Sequence, residues 1–400
     1  MTEQQNTPEI RFSEFKSGWK KDKLGTLIKN NTILNQSDGN HGSLYPRNSE
    51  FINSGIPYIS ASNIKNNEID FSNVKYLEME RAKQFKKGVA QNEDVLLAHN
   101  ATVGPTALLK TEYPFVILST TLTLYRLNKD KVNNHYFLYS LQSKNIQNQL
   151  TKLMKQTTRN QVPILLQRTM ILTYPRDLEE QEKIGNFFRK LDRQIELEEK
   201  KLELLEQQKR GYMQKIFSQK LRFKDENGDE YPEWKSKKLK DIANVYQPQN
   251  LSQNNFQKKG YPVYGANGVI GYYKDFNHSN MEIAVACRGN TCGRVNLTEP
   301  KSWITSNAMV VDIIDEMEIE FYFLYQYLRI INYSNVISGS GQPQITRKNM
   351  NSVELLVPNY IEQQKIGNLF RRFDDFIEKQ SQKIDLLKER KKGFLQKMFI

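Results

Sequence analysis

Acidic-x-lysine triplets such as Glu389-Arg390-Lys391 have the residue types of a metal-dependent nuclease, in which carboxylates hold a divalent ion close to a phosphate. This one lies in a heavily charged periodic stretch, where such groups serve as solvated ion pairs. Four histidines (His41, His99, His135 and His278) are scattered without metal-ligand spacing. Cys287 and Cys292 form a C-x4-C pair with no further Cys or His nearby, so both read as packing residues. The phosphate-cradling G-x-x-x-x-G-K-[ST] is absent, as is G-x-G-x-x-G after a strand. No Asn-Pro-Pro-Tyr or Asp-Pro-Pro-Tyr tetrapeptide offers to hold a flipped base for amino methylation. The sequence therefore leads to the expectation that this chain does no catalysis itself.

What the chain does have is a repeat. Residues 179–217 align without a gap onto 361–399, with nineteen of 39 positions identical. In the first copy Ile184, Phe188, Leu191, Ile195, Leu202 and Leu205 recur at steps of three, four and seven. Ile366, Phe370, Phe373, Ile377, Ile384 and Leu387 do the same in the second. That is a heptad seam, the pattern of a coiled coil. Its midpoints are polar, Glu198 and Gln380, and Lys209 and Lys391 share a second polar position. Asp177 stands three residues before Glu180, and Asn359 three before Glu362, so each helix is expected to open with a capping box. About 39 residues at 1.5 Å each predict a rod of roughly 58 Å. A long surface helix packed on its own domain is the competing reading.

Each helix follows a globular segment, which predicts a first domain over 1–178, a helix over 179–218, a second domain over 219–358 and a helix over 359–400. The globular parts also echo each other. Arg11-Phe12 and Trp19 to Leu24 resemble Arg222-Phe223 and Trp234 to Leu239, and Gly55-Ile-Pro57 resembles Gly260-Tyr-Pro262. Asp94 to Pro105 and Glu282 to Arg294 each read as a strand entering a Gly-containing loop. Tyr136-Phe-Leu-Tyr139 matches Tyr322-Phe-Leu-Tyr325, each opening an amphipathic helix. The first domain holds about 33 extra residues, expected in loops.

The net charge is +13. The first long helix contributes none of it and the second +4, which leaves +9 on the remainder. Basic domain surfaces point to an anionic partner, nucleic acid ahead of a membrane. No apolar run approaches the ~20 residues that would span a bilayer. The N-terminus lacks a signal-peptide pattern, and two cysteines give no disulfide framework, so a cytoplasmic protein is expected.

Two variable domains, each followed by a helix with the core Q-x-x-I-x-x-x-[LF]-x-x-x-D-x-x-I, resemble the specificity subunit of type I restriction-modification systems. That core reads Gln181, Ile184, Phe188, Asp192 and Ile195, then Gln363, Ile366, Phe370, Asp374 and Ile377. The loops Tyr264 to Gly268 and Arg288 to Thr291 are also similar to that family, whereas the first domain has His99-Asn100-Ala101-Thr102 opposite Arg288-Gly289-Asn290-Thr291. The resemblance implies an α+β chain of two mixed α/β target-recognition domains, separated by two long helices that pair as an antiparallel coiled coil. It implies that each domain reads one part of a bipartite, asymmetric site on double-stranded DNA while the helices set the spacing. It further implies docking of two adenine methyltransferase subunits and of ATP-dependent restriction and translocase subunits. S-adenosylmethionine, ATP and Mg would then sit on those partners, with no cofactor in this chain.

Arg, Asn and Gln are the side chains whose paired donors and acceptors match base edges. In the first domain the candidates are Arg159, Asn160 and Gln161. In the second they are Gln342, Gln344 and Arg347, with Arg288, Asn290 and Arg294 on a neighbouring loop. A phosphate contact or a solvated loop side chain is the competing role for each. Two other functions stay open at this point. A coiled-coil protein-interaction scaffold would gain nothing from the +9 on the domains, and a stand-alone DNA-binding regulator usually brings a helix-turn-helix.

Overall fold

The computed structural model describes residues 7–157, 159–339 and 342–400. The chain forms two compact units. One comprises 1–199 with 382–400, the other 200–381. Each unit therefore combines a globular segment with the start or end of both long helices, so compactness divides the chain differently from four consecutive segments.

In the first unit a four-stranded antiparallel sheet has the order Thr102–Leu108, Val95–Asn100, Leu122–Leu127, Ile33–Asp38. A five-stranded sheet runs Phe51–Ile52, Lys75–Leu77, Ile56–Ile59, Val116–Leu118, Val89–Ala90, with one parallel pairing between Ile56–Ile59 and Val116–Leu118. The second unit repeats this on a smaller scale. Its four-stranded sheet is Ala243–Tyr246, Ala308–Ile313, Ile283–Ala286, Val295–Leu297. Its three-stranded sheet is Gly268–Tyr273, Tyr261–Gly265, Trp303–Ile304. The extra residues of the first unit are not merely loop, as expected from sequence. Part of them builds the hairpin Ile64–Lys65/Glu68–Ile69, inserted between the antiparallel partners Ile56–Ile59 and Lys75–Leu77, where the second unit has only a short turn between Tyr261–Gly265 and Gly268–Tyr273.

The helices run over Leu178–Phe217 and Tyr360–Lys397 and pair antiparallel. In the first unit the start of one meets the end of the other. Phe187 and Phe394 pack edge to face at 5.0 Å, Lys391 donates to Asp192 at 2.6 Å, and Lys383 donates to Glu198 at 2.5 Å. In the second unit Lys209 donates to Asp374 at 2.5 Å and Tyr212 packs on Phe373 at 5.7 Å. Both polar lysines of the seam thus meet the aspartate of the repeated motif. Burial pushes the Lys209 ammonium below its ordinary range, while the bond to Asp374 holds it up. Of the seam residues, Ile184, Phe188, Ile195, Ile366, Phe370, Gln380, Ile384 and Leu387 are buried. Leu191, Glu198, Leu202, Leu205, Phe373 and Ile377 are half-buried.

The repeated motif docks each globular segment onto its helix. Gln181 accepts from the Asn133 N–H and donates to the Pro175 carbonyl, and Gln363 does the same with Glu320 and Pro358. Ile184 and Phe188 enter one core, Ile366 and Phe370 the other. Asp192 accepts from the Tyr139 hydroxyl and Asp374 from Tyr322 and Gln326. Gly185 and Gly367 follow from the same docking, since a Cβ there would lie 2.9 Å from Asn133 Oδ1 or 2.1 Å from Glu320 Oε2. The cap oxygens of Asn133 and Glu320, accepting from Tyr136 and Phe323, align the two short helices one residue away from the Tyr-Phe-Leu-Tyr match.

The capping boxes form only in part. Asp177 and Asn359 cap the helices by accepting from Glu179 and Glu362. The glutamates themselves are fully buried and used elsewhere. Glu180 accepts from Arg11 Nε at 2.6 Å and Trp19 Nε1 at 3.2 Å, and Glu362 from Arg222 and Trp234. This explains the duplicated Arg and Trp at the start of each domain. Removing the glutamate strands a half-buried guanidinium and a buried indole N–H. Glu180→Ala and Glu362→Ala should each cost on the order of 3 kcal/mol. Calorimetric unfolding of the variants checks this, and a loss near zero would show the clamps to be passive.

Candidate nucleic-acid interface

In the first unit the strand Val95–Asn100 ends in a turn at Ala101, whose φ of 64° holds it in the left-handed region. That turn is joined to a segment about 60 residues further on. Ala101 N–H donates to Asn160 O at 2.9 Å, Val162 N–H donates to His99 O at 2.8 Å, and Asn100 bridges Gln161. The Thr157 hydroxyl lies within hydrogen-bond reach of the carbonyls of Met154, Arg159 and Gln161 and donates its one hydrogen among them, inside the loop. Beneath it lies a buried polar network. Gln167 donates to Val162 O and the Thr123 hydroxyl, accepts from the Tyr125 hydroxyl, and Thr123 meets His99 Nδ1 at 2.9 Å. Such fully bonded networks rigidify what they carry. Burial lowers the His99 pKa to about 4, so its imidazole is neutral at pH 7 and supports the loop from within.

The second unit builds the same pair of loops. Ile345 N–H donates to Cys287 O and Gly289 N–H to Pro343 O, both at 3.0 Å, and Arg288 bridges Gln344. Gly289 takes φ 81° where the first unit has Ala101. These bonds correct the sequence match by one residue. His99 corresponds to Cys287 and Asn100 to Arg288, and by the same register Arg159 corresponds to Gln342 and Gln161 to Gln344. The matching buried group, Cys287, accepts from Gln247, and burial pushes its thiol up.

The candidate side chains distribute as follows. Arg159 and Asn160 are exposed and Gln161 is half-buried beside them. Arg288, Asn290 and Gln342 are exposed and Gln344 is half-buried in the ribbon Ile337–Ser338/Gln344–Ile345. Arg347 is exposed at the start of the short helix Arg347–Asn351. Arg294 leaves this group and lines a separate hollow with Tyr264, Tyr325 and Arg329. Thr158, Ser340 and Gly341, within the two candidate loops, lie outside the described residues. The sequence reading missed Asn100, the partner position of Arg288. Anchoring the match on Gly289 and Ala101, the two positive-φ turn residues, would have found it.

If these side chains read bases, Arg159→Ala or Gln342→Ala should each lose about 1–3 kcal/mol of binding and relax a single base position. Titration of a duplex library checks this. Equal weakening on every sequence would make the residue a phosphate contact.

The family profile described as "Type I restriction modification DNA specificity domain" matches residues 16–207 and 231–389. The chain belongs to the type I restriction modification DNA specificity family. Among curated relatives of this specificity family, the putative type I restriction enzyme MjaX specificity subunit of Methanocaldococcus jannaschii is 26% identical over 368 residues, 84% of this chain and 85% of that protein. The type I restriction enzyme EcoprrI specificity subunit of Escherichia coli is 27% identical over 147 residues, 36% of each chain. A type I restriction-modification S subunit from M. genitalium has the same fold, with a TM-score of 0.65 at 15% identity, over 98% of this chain and 99% of that one. A chain from a study of complex assembly and conformational transition of the type I R-M system matches at a TM-score of 0.58 and 16% identity, over 96% and 98%. As a type I specificity subunit, the chain carries its family motif where the domains dock on the helices. Among the described residues no helix is long and apolar enough to cross a membrane.

Proposed function

We propose that this specificity subunit reads a bipartite, asymmetric DNA site, one part through each unit, and that its paired helices set the spacing and dock two adenine methyltransferase subunits. The observation that carries this is the twice-built loop pair, a strand-end turn bonded to a distant loop, with exposed Arg and Asn and a half-buried Gln on both. The two pairs share their backbone bonds and differ in side chains, as two readers of different sequences require. Bonded sheet ends under exposed side chains suit base recognition, where misplacement is costly. The restriction and translocase subunits, with their ATP and Mg, and S-adenosylmethionine on the methyltransferase belong to the same proposal.

The purified chain should show no methyl transfer, ATP hydrolysis or DNA cleavage, and adding the methyltransferase subunit should produce sequence-specific adenine methylation. Incorporation of labelled methyl groups into duplex DNA measures this. Methyl transfer by the lone chain would overturn the non-catalytic assignment.

A further inference from the structure

One edge of the four-stranded sheet is closed in the first unit and open in the second. In the second unit the edge strand is Val295–Leu297, and Ile283 pairs with Leu297. The bonds Ala286 N–H to Arg294 O and Thr298 N–H to Glu282 O leave the N–H groups of Val295 and Leu297 turned outward. In the first unit the matching edge is Thr102–Leu108, and the matching N–H, of Leu108, donates to Asn67 O at 3.0 Å. Asn67 is at the tip of the hairpin Ile64–Lys65/Glu68–Ile69. Its side chain donates to Asp192 at 2.8 Å and accepts from Gln142 at 2.9 Å. The first unit thus fills this edge with a neutral amide of its own.

The second unit has a hollow of about 440 Å³ there, lined by Tyr264, Arg294, Asn296, Tyr325 and Arg329 among others. From the aligned helix caps, Arg329 holds the position of Gln142, and from the strand register Arg294 holds that of Pro105. Two neutral positions have become cations. No carboxylate lines the hollow, and neither arginine has an ion pair among the described residues. Arg329 donates to Gln326 at 3.3 Å and lies 5.4 Å over the Tyr325 ring, which leaves most of its donors unused. Asn296 Nδ2 is buried there without a partner. Asp374, the neighbouring acid, is already held by Lys209, Tyr322 and Gln326. Five donor groups thus line the hollow, the N–H groups of Val295 and Leu297, the Arg294 and Arg329 guanidiniums and Asn296 Nδ2, and among the described residues only Arg329 has an acceptor, Gln326.

We propose that this hollow binds a phosphate of the DNA backbone, with Arg294 and Arg329 as its charged donors. The proposal rests on the DNA-reading function above. A neutral hairpin like that of the first unit would need no cations, so the two arginines point to an anionic occupant. Arg294 directly follows the loop carrying Arg288 and Asn290, where a backbone contact would fix the reader on its duplex.

The test uses the full chain with its methyltransferase subunit, and a duplex carrying the methylated site. Arg294→Gln and Arg329→Gln should each lower the salt slope of binding by about 1 and weaken single-base variants of the site equally. A single neutral methylphosphonate in the second unit's half-site should weaken the wild-type complex and leave the double variant unaffected. Unchanged salt slopes with equal response to every methylphosphonate would overturn the phosphate site while leaving DNA reading intact. Loss of the methyltransferase subunit with DNA affinity otherwise retained would overturn it in favour of a protein contact. A wild-type complex that binds no duplex selectively would instead overturn the DNA-reading function, and the site with it.

Discussion

A chain ended after Ser218 should form a stable dimer and, with the methyltransferase, methylate a symmetric site built from the first unit's half twice. The expectation follows from how the first core is completed. Met398 and Phe399 are buried in it, with Phe394 and Leu395 packed against them, and Phe399 meets Tyr136 and Phe188 at 5.4 and 5.6 Å. Losing two such buried side chains costs about 2–5 kcal/mol each, a large part of an ordinary domain's stability. The gapless repeat supplies replacements. Tyr212, Met213, Ile216 and Phe217 of a second copy stand where Phe394, Leu395, Met398 and Phe399 stand in the intact chain.

The ion pairs mostly survive the exchange. Asp192 with Lys391 becomes Asp192 with Lys209 of the copy, and Lys201 takes the place of Lys383 beside Glu198. Glu199 loses Lys388 and meets Glu206, and a second Glu198 replaces Gln380 at the helix midpoint. Glu198→Gln should therefore tighten the dimer near neutral pH. Sedimentation equilibrium of both forms measures the effect. A product that stays monomeric as the Gln variant and with its partner would contradict the paired-helix account.

Much of this architecture was legible in the sequence, because a heptad seam is written in residue types and a gapless repeat needs no structure to be seen. The docking motif was visible as a pattern but not as a mechanism. Glu180 and Glu362 had the spacing of capping boxes, yet half-buried Arg and buried Trp donors outcompete the backbone N–H for their carboxylates. The described residues of 156–160 lie in turns and bends, as their polar run suggests, whereas Ser338 and Gln344 of the second stretch belong to a short ribbon. The pairing of these stretches with the strand-end turns was not legible, because bonds between residues about 60 positions apart leave no periodic trace. The same limit hid Arg329, whose meeting with Arg294 depends on which unit carries the Asn67 hairpin.

The other large effect concerns independence of the two units. Exchange of residues 222–358 for the equivalent domain of a relative should change one half of the recognised site and leave the other intact. The cut is sound where the relative keeps the Arg and Trp that meet Glu362 and the apolar face that meets Phe217, Ile366 and Phe370. Each core is completed within its own unit, so the first should not register the exchange.

Mapping methylated adenines across the genome of cells with this gene, without it, and with the exchanged domain tests the central claim most directly. One bipartite motif should be methylated with the gene and unmethylated without it, and the exchanged domain should replace one half while keeping the other. Methylation that persists without the gene, or an exchange that alters both halves together, would contradict two independent readers on one chain.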